Sequence, residues 1–592
     1  MKSLRSSIYL FFFLLSFSLS GQREGDKWVI GYYSYLGSHN YSVMHFDFSG
    51  PSMKLDWHFD EKINMNETTS NICDKNGQAI LWTNGMQIFG KHAVIVADTI
   101  AFDGDPFGYW NYFYDKDRGP SGSPLHNGAI ILPFPGQENV FTVLYHSMSP
   151  HPTLGFDTDK HLEARVKMNE DSSYTILFRD SLIAPVFKWY KGSIIATRHA
   201  NGRDWWILTL AHDGPKYFSF LLDDSGVKFH HEGNVNNNII GGLGQAAFSS
   251  NGNYMARMDA NTIEDGQRIY LFRFDRCTGY LEDLDSFHTE AGYFTGVAFS
   301  PSERYLYADD NLHLWQWDLL ADDIAASQTL VDTFDGFVQP GWFQMQFASM
   351  AAAPDGRIYM TPPAGSSEFM HVIERPDMPA DQCNFRQHSI DLKVPNGRSS
   401  PNLPNYRLGP LDGSPCDTLG IDNILTAHWR NEEYALGFPH GILFTDLSYF
   451  NPEVWHWDFD DGSTSSERNP VHAFESGLYH VCLTVSNANS SDSSCQWIEI
   501  LETEIDDPQQ TSEQDLSITP NPFHNVINIV SKSGEFRIAH LQLYDIHGRF
   551  VFDQPEAPVP VSIFLPPFPP GMYLCRIKDQ DGTIYSFKVM KQ

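Results

Sequence analysis

Two pairs of carboxylates bracket an aromatic run in the first fifth of the chain. Asp103-Gly104-Asp105 and Asp115-Lys116-Asp117 stand on either side of Phe107-Gly108-Tyr109-Trp110-Asn111-Tyr112-Phe113-Tyr114. Aromatic rings on a loop can stack on sugar rings, and carboxylates beside them can bond hydroxyls or hold Ca²⁺. Asp103, Asp105, Tyr109, Trp110, Tyr112 and Asp115 are therefore the candidate ligand contacts. A structural calcium is the one ion this reading admits. The plainer alternative is an inserted loop that packs on its own sheet. Glycoside hydrolysis by acid and base needs two carboxylates held several ångströms apart, and sequence spacing does not set that distance.

Other chemistries find less. There is no G-x-S-x-G, so no nucleophile elbow is expected. His230-His231, and His146 with His151, lack the H-E-x-x-H spacing of a zinc site. Asp458, Asp460 and Asp461 lack the spacing of an EF-hand loop and read as turn caps. Gly241-Gly242-Leu243-Gly244 is not followed by Lys-Ser/Thr, which argues against a nucleotide cradle. No catalytic residue, no cofactor-binding residue and no metal ligand is assigned.

The 592 residues exceed what one core organises, so several domains are expected. The formal net charge is −33, which speaks against nucleic acid as a partner, because phosphate binding needs clustered Lys and Arg. At the N-terminus, Lys2 and Arg5 precede an apolar stretch from Ile8 to Phe17, followed by Ser18, Ser20 and Gly21. This is the pattern of a secretory signal peptide over 1–21, and it is too short to span a membrane. The mature chain shows no other run of spanning length.

Cys73, Cys277, Cys383, Cys416, Cys482, Cys495 and Cys575 contain no C-x-x-C pair. In an exported chain most should be paired. Cys482 with Cys495 is the expected bridge, on two neighbouring strands, and Cys383 with Cys416 is a second, weaker expectation. The odd number leaves a free thiol, for which Cys575 is the candidate.

Many Gly, Pro and aromatic residues point to short strands and turns. Only 319–330 shows modest helical periodicity. A degenerate repeat runs through residues 27–412. Ala247-Phe248-Ser249-Ser250-Asn251-Gly252-Asn253-Tyr254, Ala298-Phe299-Ser300-Pro301-Ser302-Glu303-Arg304-Tyr305 and Ala352-Ala353-Pro354-Asp355-Gly356-Arg357-Ile358-Tyr359 align at 252, 303 and 356. A period of about 50 residues with short strands predicts a β-propeller. About seven blades fit the length, with six or eight also open. Phrases such as Asp204-Trp205-Trp206-Ile207-Leu208, Leu314-Trp315-Gln316-Trp317-Asp318 and Pro404-Asn405-Tyr406-Arg407-Leu408-Gly409 resemble a propeller-like family of secreted Bacteroidetes proteins.

Residues 424–501 carry Trp455-His456-Trp457-Asp458-Phe459-Asp460-Asp461-Gly462 and then Gly477-Leu478-Tyr479-His480-Val481-Cys482-Leu483-Thr484-Val485. Period-2 alternation places Trp455, Trp457 and Phe459 on one face. The phrase resembles the PKD domain, which implies an immunoglobulin-like sandwich. Residues 502–515 are acidic and polar and read as a linker. Residues 516–592 contain Pro520-Asn521-Pro522, Gly548-Arg549, Gly571-Met572-Tyr573 and, near the end, Lys588 and Lys591. Together these resemble the type A C-terminal sorting domain of the type IX secretion system. That resemblance implies transit through the type IX machinery to the cell surface or the medium.

The chain thus reads as all-β: a propeller, an immunoglobulin-like sandwich and a small C-terminal sandwich. The function expected is recognition or adhesion outside the cell, by a non-catalytic scaffold that meets a polysaccharide or surface glycoprotein. The alternative is an extracellular enzyme acting on polysaccharide or peptide at the axial mouth of the propeller. A structural component of surface matrix is the third reading. Buried carboxylate or His groups clustered at the axis would favour the enzyme.

Overall fold

The structure is a computed structural model. It describes residues 23–591, apart from 33–41, 99–113, 185–193, 260–266, 435–440, 501–515, 566–570 and scattered stretches of four residues or fewer. Among the described residues the regular elements are strands, with two single-turn 3-10 segments at Lys91–Ala93 and Ala325–Ser327. The helical periodicity at 319–330 does not become an α-helix. Asp318 and Asp323 instead accept the backbone N–H groups of Leu320 and Ala326, and a strand begins at Thr329–Thr333. Short carboxylates that compete for the backbone break a segment too brief to nucleate a helix.

The chain divides into two compact units. The first takes in 1–426 with 447–452 and 487–491; the second holds 427–446, 453–486 and 492–592.

Among the described residues of the first unit, seven larger sheets follow one another along the chain, each built on an antiparallel run of three or four strands, the second with one added parallel strand. Their first strands are Lys27–Gly31, Thr68–Cys73, Ala129–Pro133, Ile195–Arg198, Ala246–Phe248, Val297–Phe299 and Met350–Ala352. Most of these strands are buried on both faces, which explains uninterrupted apolar runs such as Ala129-Ile130-Ile131-Leu132. Outer strands such as Tyr174–Leu182 are largely exposed. Most successive first strands touch one another, and just ahead of the third and fourth the Ile194 N–H donates to Asn127 O at 3.2 Å. The ring closes where Ser400–Pro401 pairs in parallel with Thr68–Thr69, while the Gly31 N–H donates to Ser399 Oγ.

The repeat turns share one backbone device. The residue between first and second strands has φ near +70° at Gly77, Gly136, Gly202, Gly252 and Gly356. Glycine adopts this conformation without the Cβ penalty. At the equivalent place in the sixth sheet stands Glu303, with φ +62°. A side chain costs about 1–2 kcal/mol there. Its carboxylate accepts from the Asn251 N–H (2.9 Å) and from Asn253 Nδ2 (3.0 Å), tying this turn to the preceding one and offsetting that strain.

Cys416 joins Cys277, not Cys383. Cys277 lies in the turn after Gln267–Phe274, next to Arg276, whose guanidinium bonds Arg198 O and Gly409 O. Those bonds bring 409–416 alongside this turn. Cys383 is buried in an apolar cluster with Phe347 and Phe385, and its thiol donates to Ala380 O. Cys73, Cys383 and Cys575 are free thiols.

In the second unit, two sheets pack around Trp429, Phe444, Trp457, Phe459, Val481, Leu483 and Val485. Trp457 and Phe459 are fully buried, while Trp455 is only half-buried. Trp457 Nε1 donates to Glu467 O and Trp429 Nε1 to Ser494 O, so the indoles are buried without losing their hydrogen bonds. Cys482 and Cys495 form a bridge between the strands Gly477–Ser486 and Ser491–Ile500. Residues 516–591 form two further sheets around Leu516, Phe523, Ile527, Leu541, Leu543, Tyr573 and Ile577. Cys575 sits in that core, where burial pushes its thiol up to about 12.

Candidate functional site

The parallel run of first strands brings the residues just before them to one end of the axis. Glu67 precedes Thr68–Cys73, His126 precedes Ala129–Pro133, Ser349 precedes Met350–Ala352, and Arg398 precedes Ser400–Pro401. These four side chains meet although they are up to 331 positions apart. Arg398 Nη2 is 2.6 Å from Glu67 Oε1. Glu67 Oε2 is 3.7 Å from His126 Nε2. His126 Nδ1 is 3.0 Å from Ser349 Oγ. Glu67 and Ser349 are 1% exposed and His126 5%.

Burial governs their ionisation. It lifts the Glu67 carboxyl to about 7, against the pull of Arg398. It drives the His126 imidazole down to about 3, and the Arg398 charge adds to that fall. Serine, imidazole and carboxylate in a row resemble the parts of a nucleophilic triad. The His126–Glu67 separation is, however, beyond hydrogen-bond reach.

Neighbouring polar groups tie sheet to sheet. Gln245 Oε1 accepts from the Val297 and Met350 N–H groups, and its Nε2 donates to Met350 O. Asn127 accepts from the Ala246 N–H and donates to Asn402 Oδ1. Asn402 in turn donates to Ala129 O and Ile194 O.

Beyond Asn402 the chain continues inside the ring. The Tyr406 hydroxyl lies 2.7 Å from Ile131 O and 3.1 Å from Asn71 O. Arg198 Nη2 donates to Tyr406 O, Asn405 Nδ2 to Ser250 O, and the Leu411 N–H to Ala200 O. Residues 402–411 thus bond to four successive sheets.

None of Glu67, His126, Ser349 and Arg398 was singled out by sequence. Glu67, His126 and Ser349 sit before first strands and Arg398 before the closing strand Ser400–Pro401, but nothing local marks which of those positions converge. Among the residues that were singled out, Asp103, Asp105, Tyr109, Trp110 and Tyr112 lie outside the described residues. Asp115 pairs its backbone with Gly119. His146 packs against His161, and burial drives it to about 3. His231 stacks on Tyr280 at 3.9 Å. Gly241 to Leu243 lie outside the described residues.

Asp458 and Asp461 accept the backbone N–H groups of Asp460 and Ser463, as turn caps do, while Asp460 accepts from the N–H of His480, 20 positions on. Pro520 and Pro522 are exposed, while Asn521, Gly548 and Arg549 lie outside the described residues. Gly571 pairs with Lys591, Leu574 with Lys588, and Tyr573 is buried.

Residues 440–501 match the PKD domain family. Residues 517–592 match the secretion system C-terminal sorting domain family. The chain is a secreted or cell-surface protein. Its sorting domain, of the type IX system, implies passage through that machinery. No helix among the described residues is long and apolar enough to cross a membrane.

Three solved structures are similar to parts of the chain. A protein from Lactobacillus plantarum is 12% identical, covering 63% of this chain and 98% of that one, with a TM-score of 0.37. The periplasmic gluconolactonase of Pseudomonas aeruginosa is 14% identical, covering 62% and 97%, with a TM-score of 0.33. The PKD1 domain of the Vibrio cholerae metalloprotease PrtV is 25% identical, covering 13% and 99%, with a TM-score of 0.12. No curated protein sequence matches the chain.

Proposed function

We propose that the exported chain is a non-catalytic recognition protein whose propeller-like domain is a rigid scaffold. The observation that carries this reading is how the inner polar groups are spent. Residues 402–411 bond to four successive sheets, and Glu67, His126 and Ser349 are buried. An imidazole held at about 3 is too weak a base to take a proton from a serine hydroxyl near neutrality. The axial polar groups read as a clasp between sheets.

Contact with a partner then falls to outer surfaces. On the PKD sandwich, Trp497 is 61% exposed and its ring lies 4.6 Å from that of His480, forming an aromatic step. Such a step suits a pyranose ring, so a polysaccharide or surface glycoprotein is the proposed ligand class. The aromatic run around Trp110 is the second proposed contact, and calcium held by its carboxylates remains part of that proposal.

A second reading, an extracellular hydrolase, draws on Glu67 alone. A carboxyl near 7 lies in the range of a general acid or base. The two readings separate in one assay: a glycan and glycoprotein panel read for binding and for product release together.

A further inference from the structure

Three side chains of the first sheet form a cluster that the axial clasp does not use. His45 lies in the strand Val43–Asp47, and His58 ends the strand Lys54–His58. His45 pairs with Asp56, so His58 is its diagonal neighbour on the same face. Their rings are 4.1 Å apart, and Glu61 reaches both. Its Oε2 is 3.7 Å from His45 Nε2, and its Oε1 is 3.5 Å from His58 Nδ1. One ligand atom from each residue lies within 4.8 Å of the other two.

These separations are too long for hydrogen bonds. They suit a shared ion: two ligand atoms each about 2.0–2.2 Å from a tetrahedral zinc stand roughly 3.3–3.6 Å apart. His45 is 8% and Glu61 6% exposed, and His45 Nε2 and Glu61 Oε2 are buried with no hydrogen-bond partner. Burying a carboxylate oxygen in this way is costly unless a cation meets it. Trp82, edge-on to His45 at 6.0 Å, supplies an apolar wall. The His58 side chain is 37% exposed, which gives an ion a way in.

We propose that His45, His58 and Glu61 bind one zinc ion, with water in the fourth position. Two imidazoles and one carboxylate fit zinc by ligand type and count, whereas calcium takes six or more oxygens. The helical H-E-x-x-H spacing misses this set because a β-hairpin and the segment just after it bring its ligands together.

The test uses the full mature chain, stripped by chelator and dialysed. Metal analysis and calorimetric titration with Zn²⁺ are run on wild type, His45→Gln and Glu61→Gln. The expected result is one fewer zinc equivalent in each variant, or at least hundredfold weaker binding at that site. Zinc should also raise the Tm of wild type but not of Glu61→Gln. A near-ultraviolet circular dichroism spectrum matching wild type establishes that Glu61→Gln is folded, and His58→Asn gives an independent loss of the same site. Equal zinc content and affinity in wild type and all variants overturns the proposal. Preference of the stripped wild type for calcium over zinc overturns it as well.

Discussion

The Tyr406 hydroxyl lies 2.7 Å from the carbonyl oxygen of Ile131, a residue 275 positions earlier. Ile131 is in the first strand of the third sheet, and Tyr406 follows the segment that closes the ring. The same hydroxyl is 3.1 Å from Asn71 O in the second sheet. One side chain thereby joins three parts of the domain, and Tyr406, Ile131 and Asn71 are all buried.

Tyr406→Phe keeps the ring but leaves a buried carbonyl, that of Ile131, without this donor. An unsatisfied buried acceptor costs about 1–3 kcal/mol. The variant should melt several degrees below wild type, while glycan binding at outer surfaces is unchanged. Differential scanning calorimetry of the secreted protein checks the first part, and binding isotherms the second.

Glu67 gives a pH dependence of defined sign. The folded carboxyl keeps its proton up to about 7, against an ordinary value of 4.5. Between those values the folded chain holds the extra proton, so this group's contribution is lost as pH rises. His126 acts in the opposite sense: its folded value is about 3 against 6.5, so its contribution is lost as pH falls through that window. Glu67→Gln removes only the first effect. The Tm of the variant relative to wild type should therefore climb between pH 4.5 and 7 and level off above. A difference that stays constant from pH 4 to 8 contradicts a buried, protonated Glu67.

The two disulfides close loops of different length. Cys482–Cys495 spans 13 residues and Cys277–Cys416 spans 139. Loop-closure entropy assigns the shorter about 3 kcal/mol and the longer about 5 kcal/mol. Replacing both members by Ser should lower thermal stability in each case, and more for Cys277/Cys416. Calorimetry of the two double variants checks the order. An undiminished transition in Cys482→Ser/Cys495→Ser shows that the bridge contributes nothing.

Removal of 516–592 should hold the protein in the periplasm, since the sorting domain directs its passage outward. Immunoblots of medium, surface and periplasmic fractions decide this. Normal appearance of the truncated chain in the medium contradicts the sorting role.

The architecture was largely legible because it rests on local signals. The Gly turn at 252 and 356 and the alternation around Trp457 each follow from a short stretch of chain. Glu303 was legible only as a member of the repeat, since its left-handed backbone depends on bonds to Asn251 and Asn253 in the preceding turn. The clasp was not legible, because ring closure alone brings Glu67 to Arg398 and His126 to Ser349. Cys416 was misassigned for a related reason. Its partner is chosen by where Arg276 anchors 409–416, while Cys383 is held in a buried cluster. The His45–His58–Glu61 cluster escaped because its register belongs to a hairpin and its third member lies beyond the strands.

The most direct test of the central claim is a panel of polysaccharides and surface glycoproteins, with binding and product release read in the same wells. Wild type and Ser349→Ala are run side by side. A recognition scaffold predicts binding without product, equal in both proteins. Product formed by wild type and lost in Ser349→Ala contradicts the account and makes the axial cluster a catalytic site.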